Sequence, residues 1–273
     1  MIEIIDDKSP EGLADYVEFH VTSSGKNISK SKISKLFPEV EEKMIDSVFN
    51  ELENRDKQYG NSSPILLERT RIKPNFDWRV DPALMLCLIF SLQGVEKKKG
   101  KDDGTKLFER LSREVAKNYL SGEAEVIGFP TGSNLKEQIN GICKKTYEAS
   151  GPRSPSKKAK DEGVDIIAWK SHGDNRPNQV MMLLQCAAGV HYDTKIPISL
   201  TKWRELINFS ATPLRGIVLP HILSNEDWEK VRDHHELIFD RIRVQRALHG
   251  KKLDSDLKKQ MIEWCSEKIK ASS

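Results

Sequence analysis

The sequence predicts an α/β fold: a mixed central sheet flanked by helices, preceded by a mainly helical N-terminal part. Three observations carry that expectation. Strand and helix patterns alternate over residues 105–246. Two strand patterns, at 164–170 and 179–187, are joined by the turn formers SHGDNRPN and read as a hairpin. Ahead of them, up to residue 93, apolar residues recur mostly at helical spacing.

Composition sets limits on function. The chain has 273 residues, enough for one sizeable domain and a smaller one, with 37% hydrophobic and 31% charged residues. A net charge of +3 gives no general pull toward nucleic acid, so any basic surface has to be local. No apolar run approaches the length of a membrane span, so no membrane association is expected. The opening MIEIIDDKSPEG is acidic and lacks the basic-then-apolar layout of a signal peptide. Cys87, Cys143, Cys186 and Cys265 stand far apart, without the spacing of a zinc site or of a disulfide scaffold. Buried free thiols in a cytoplasmic protein are the expectation.

Taken in order, DYVEFHV alternates as a short strand would. Ile28, Ile33, Leu36 and Phe37 form one helical stripe, with Lys30, Lys32 and Lys35 on its other side. Val40, Met44, Ile45, Val48, Phe49 and Leu52 form a second, and Pro38 suits its first turn. A turn at 58–63 leads to a strand at 65–68. Asp81 should cap a helix at 82–93 whose residues ALMLCLIFSL are apolar all round, which calls for burial between the two parts of the protein. Gly94 stops it, and VEKKKGKDDG is a charged linker that sets the boundary. The expected division is 1–100, an α-rich docking or accessory domain; 101–252, the α/β domain; and 253–273, a closing helix.

Within the α/β part, Leu107, Phe108, Leu111, Val115 and Leu120 mark a helix over 105–120. AEVIGFP is a strand, and Ser133 should cap a helix over 135–148. The loop ASGPRSPSKKAKDEG brings Arg153, Lys157, Lys158 and Lys160 together, a local positive patch of the kind that neutralises phosphates without reading bases. After the hairpin come a helix at 200–209, a strand in RGIVLP, a helix in NEDWEKVRDHH and a strand-to-helix passage in ELIFDRIRV. The sequence shows no internal repeat and no legible base-reading module.

The chemistry centres on the hairpin. Asp165 lies in the first strand, where packing has no use for a carboxylate, and Gln185 lies near the end of the second. Glu109 sits in the first turns of the preceding helix. Converging at one end of the hairpin, these oxygens suit Mg²⁺, with Mn²⁺ as a substitute; an ion there lowers the pKa of bound water and steadies charge on a phosphate. Each residue also has a structural reading. Glu109 could be one end of a surface ion pair, with Glu114 as its rival for the site. Asp165 could pair with Arg241 or Arg243, and Gln185 could satisfy backbone groups. His172 and His191 read as loop histidines, and Asp240, Arg241 and Arg243 as a network between the sheet and the C-terminal helix.

Helix with LFERL, strand, loop, GVDII, hairpin and a second strand ending in QCAA together resemble the PD-(D/E)xK, restriction-endonuclease-like nuclease superfamily. The resemblance covers about residues 104–246. It implies a mixed sheet flanked by helices and Mg²⁺-dependent hydrolysis of DNA phosphodiesters. Asp165 matches the first-strand aspartate, Gln185, Cys186 and Ala187 the (D/E)xK triplet, and Glu109 the helix glutamate. Two positions depart: an amide replaces the second acid, and Ala187 stands where the lysine belongs. Lys195, in the loop after the strand, is the expected replacement; Lys170 follows Asp165 at odd spacing and points to the other face. The resemblance further implies a bacterial antiphage defence or restriction effector, a protein partner from the same system and a homodimer for double-strand cutting. The competing reading is a non-catalytic subunit that keeps the nuclease fold and binds nucleic acid or a partner protein.

Overall fold

The computed structural model describes residues 8–93, 104–128, 134–155, 162–189, 192 and 195–271. The N-terminal part opens with α1 (Pro10–Ser24), β1 (Ile28–Ser29), α2 (Lys30–Leu36) and α3 (Glu42–Tyr59). A 3-10 turn (Gly60–Ser62) then leads into β2 (Ile65–Glu68) and β3 (Arg71–Pro74). The segment expected as a strand is the body of α1. Ser9 accepts the Gly12 N–H, Pro10 opens the first turn, and Gly25 closes the helix in the left-handed region at φ 65°. Its buried Leu13, Ala14, Val17 and Val21 are one turn apart, so the helical stripe outweighs the local alternation.

This part packs around Ile33, Ile45, Val48, Leu52, Ile65 and Ile72. β3 lies centrally, antiparallel to both β1 and β2. The order helix, short strand, helix, turn, helix, hairpin is that of a winged helix–turn–helix. Sequence reading did not foresee it, and Pro38 lies in the turn between α2 and α3 rather than inside α3.

α4 (Ala83–Gln93) is capped by Asp81, which accepts the Ala83 N–H, and is buried on nearly every side, as expected. The expected boundary linker falls outside the described residues. The α/β part then runs α5 (Gly104–Leu120), β4 (Glu123–Val126), α6 (Leu135–Thr146), β5 (Ala149–Ser150), β6 (Ile166–Lys170) and β7 (Val180–Cys186). It continues with α7 (Leu200–Arg204), β8 (Ile207–Asn208), β9 (Leu214–Val218), α8 (Asn225–Arg232), β10 (Leu237–Phe239), α9 (Arg241–Leu248) and α10 (Ser255–Ala271). The cap of α6 is Asn134, not Ser133: Asn134 and Glu137 form a reciprocal capping box.

The central sheet is mixed, in the order β10-β9-β7-β6-β4. β10, β9 and β7 are parallel, while β6 is antiparallel to both β7 and β4. Strand alternation feeds two cores. Ile166, Ala168, Met182 and Leu184 point to one face with α4, α5, α9 and α10. Ile167, Trp169, Met181 and Leu183 point to the other face, covered by α6 and α7, and α8 caps the Ile217 end of that face. The result is an α/β fold with a five-stranded mixed sheet between helical layers.

The two parts meet through α4 and a buried ion network. Arg241, at the start of α9, is fully buried and donates to Asp15 and Glu18 of α1 and to Tyr59 of α3, the last at 3.2 Å. Arg55 of α3 reaches Asp15 at 2.6 Å, and Ser91 of α4 donates to the same carboxylate. Burial alone would raise the Asp15 carboxyl, but Arg241 and Arg55 hold it well below its ordinary value. FDRIRV therefore does not tie the sheet to the C-terminal helix. Asp240 caps α9, Arg241 grips the N-terminal part, and Arg243 stacks on Trp228 at 4.4 Å. Neither arginine is a partner of Asp165.

Candidate active site at the end of the hairpin

Asp165 stands immediately before β6, where its backbone is pinned from both sides. Its N–H donates to Leu184 O at 2.9 Å, and its C=O accepts the Ile127 N–H at 2.7 Å. Its carboxylate turns along the end of the sheet and accepts the Cys186 N–H at 2.6 Å through Oδ2. The acid thus caps the last ladder position of β7, which is why the fold tolerates a charge in a strand that is otherwise buried.

Three sequence-nominated charges are felt at that position. Burial lifts the Cys186 thiol well above its ordinary value, and the Asp165 and Glu109 carboxylates push it further up. A hydrogen bond with Ser112 and the ammonium of Lys195 pull it back. One thiol thus feels an acid from α5, an acid from the entry to β6 and an amine from the loop after β7. Glu109 is half-buried, on the same helix as Ser112, whose hydroxyl donates to Phe108 O at 2.8 Å.

Gln185 departs from the expectation of one shared face. Alternation sends Leu184 and Cys186 toward α5, and Leu183 and Gln185 to the opposite side. Gln185 therefore leaves β7 on the face away from Glu109. It still belongs to the same strand end, since the Asp165 N–H is bonded to Leu184 O, the residue before Gln185. Its Nε2 donates to Ile196 O at 3.0 Å, fixing the residue next to Lys195. Its Oε1 is buried and accepts no hydrogen bond from any described residue.

The rivals separate clearly. Lys170 donates to Ser121 O at the far end of β6, so it is no candidate for the site. Glu114 is buried and bonded to Arg113 at 2.5 Å. Ala187, at the motif-lysine position, is packed with Ile217, Leu219 and Leu223. Arg153 is tied to Glu162 at 3.3 Å and Glu205 at 3.0 Å, so it is not the free phosphate contact expected of it. Lys157, Lys158, Lys160 and His191 lie outside the described residues, and His172 is exposed in the hairpin turn. Among the described residues no group of three or more His, Cys, Asp or Glu side chains is placed to hold a metal ion.

Sequence reading missed Ser112 and the structural role of Cys186. Ser112 lies one helical turn after Phe108, so its place on the apolar side of α5 is visible in the spacing, but nothing there marks its partner. No protein family, no curated protein and no solved structure matches the chain.

Proposed function

We propose that the chain is a metal-dependent endonuclease of the PD-(D/E)xK kind, hydrolysing DNA phosphodiester bonds at the end of the β6–β7 hairpin. The observation that carries this reading is the Asp165 carboxylate, held at 2.6 Å by the Cys186 N–H at the end of the hairpin, where the charges of Glu109 and Lys195 also act. Two carboxylates and one amine at a strand end are the groups that phosphodiester hydrolysis uses. Asp165 and Glu109 have the hard oxygens that would hold Mg²⁺, whereas Gln185 leaves β7 on the opposite face and is not placed to join them. When bound, the ion supplies Lewis acidity and a water of lowered pKa.

The chain's own residues do the rest. The Cys186 N–H holds the Asp165 carboxylate in one orientation. Gln185 anchors the Ile196 carbonyl and so steadies the loop on which Lys195 approaches. The Lys195 ammonium offsets charge on the scissile phosphate. A role as the DNA-cutting effector of a bacterial defence or restriction system, with a protein partner, belongs to the same proposal.

The second reading is a non-catalytic subunit that keeps this architecture. It is favoured by the buried Ala187 at the motif-lysine position and by the departure of Gln185 on the far face. Plasmid nicking with Mg²⁺ or Mn²⁺, set against EDTA, separates the two. Cleavage is expected with metal and absent with EDTA, and Asp165→Ala is expected to abolish it. Metal-dependent cleavage that persists in Asp165→Ala would remove the site assignment.

A further inference from the structure

The N-terminal part carries a charge pattern that the hairpin site does not use. Lys26, Lys32, Lys35, Arg69 and Arg71 are exposed, and none of them forms an ion pair with a described acid. The topology gathers them. Ser29 of β1 pairs with Arg71 of β3, and the Lys30 N–H donates to Thr70 O at 3.2 Å, at the tip of the β2–β3 hairpin. Ser29 also caps α2, so Lys32 and Lys35, one turn apart on that helix, rise beside the hairpin. Ile28 and Ile72 face the core, which leaves Arg71 on the outer face of the small sheet.

α3 carries the opposite sign. Its exposed positions hold Glu41, Glu42, Asp46 and Glu53 against Lys43 and Lys57. In a helix–turn–helix the second helix ordinarily enters the major groove, where phosphates line both walls. Here that helix would be repelled, while the hairpin and α2 would be attracted. The patch also exposes no large aromatic side chain; Leu66 is the exposed large apolar residue of the hairpin. Single strands are held by stacking on aromatic rings, so a duplex fits better. Arginines flanking a tight hairpin tip suit the phosphates that line a duplex groove.

We propose that α2 and the β2–β3 hairpin clamp the phosphate backbone of duplex DNA through Lys26, Lys32, Lys35, Arg69 and Arg71, without sequence readout by α3. Binding is then sequence-neutral and steeply salt-dependent. This inference stands apart from cleavage, because the clamp belongs to the three-stranded sheet and Asp165 to the end of the five-stranded one.

The test is anisotropy of a short fluorescent DNA duplex with the full chain in EDTA, over a salt series. Lys32→Gln/Arg69→Gln/Arg71→Gln is expected to weaken binding by at least about tenfold and to reduce the salt slope by about 3. All three side chains are exposed, so thermal melting should match the parent. Lys43→Gln/Lys57→Gln on α3 is expected to bind within about twofold of the parent. Parental affinity and salt slope in the triple variant would overturn the clamp. So would an equal loss from the α3 pair, or tighter binding of an RNA duplex of the same length.

Discussion

Lys195 and Lys170 show how much a single side chain's position decides. Both follow a hairpin strand, and composition alone cannot rank them. Lys170 ends β6 and spends its amine on the Ser121 carbonyl, across the sheet from the Asp165 end. Lys195 follows a loop whose next residue is anchored by Gln185, and its charge is felt at the Cys186 thiol. A nuclease built on this site therefore depends on one amine and not on the other. Lys195→Met is expected to lower single-turnover cleavage by at least about a hundredfold, the scale of one lost charge-stabilising group. Duplex binding in EDTA should stay unchanged, and Lys170→Met should cleave like the parent. Equal loss from both variants would mean that neither amine acts at the phosphate. The sequence already marked Asp165, because a carboxylate in an apolar strand needs a reason, and Glu109 through the resemblance carried by LFERL. Sequence spacing also set Lys170 aside, five residues after Asp165 on a regular strand, but nothing in it announced that Gln185 would anchor the Ile196 carbonyl beside Lys195.

At the scale of elements, α1, α3, α4 and α9 are joined by charges that are far apart in sequence. Arg241 and Asp15 lie 226 residues apart, so no local pattern announces their pairing. A shorter separation, the 44 residues between Ile28 and Ile72, hid the winged-helix arrangement. β3 carries no strand signal of its own until β1 and β2 flank it, and the body of α1 reads as a strand until Ser9 and Gly25 fix its ends. The network extends to His221, whose ring contacts Ser91 Oγ and Gly189 O at 3.3 Å each. Burial, aided by Arg241, depresses His221 to about 4, against opposition from Asp15 and the Gly189 carbonyl. His235 is likewise depressed to about 4, by burial, His234 and Arg215. A histidine whose folded pKa lies below its unfolded value takes up protons first in the unfolded chain. Its contribution to stability is complete above about 6.5 and is lost as pH falls toward 4. Glu18, Asp81 and Asp240 shift upward through burial, so they oppose the trend as pH falls through their own folded values. Denaturant unfolding should therefore show stability falling from pH 6.5 to 5, with His221 contributing up to about 1.4 kcal/mol per pH unit. His221→Gln should flatten that slope; an unchanged slope would show that the ring titrates normally in the fold.

For the molecule as a whole, the question is whether the α/β part stands without the residues before it. The charged linker after α4 looked like a boundary, and the winged-helix part has its own core around Ile45 and Leu52. Yet α4 packs against α1 on one side and α5, α9 and α10 on the others, within a core that reaches the central sheet. Leu84, Leu86, Leu88 and Ile89 are each at most 1% exposed. Burying side chains of this size is worth about 1.5–3 kcal/mol apiece, so α4 alone contributes on the order of a domain's net stability. Removing it together with α1 and α3 also strips Arg241 of Asp15, Glu18 and Tyr59, so the seam that these groups close is lost. A fragment of residues 104–273 is accordingly expected to be insoluble or to melt without cooperativity. Co-expression with residues 1–93 should restore a cooperative transition, because α4 and the α1 carboxylates can dock in trans. If the fragment alone unfolds cooperatively and nicks plasmid with Mg²⁺, the seam is a contact between independent domains and the shared core is dispensable.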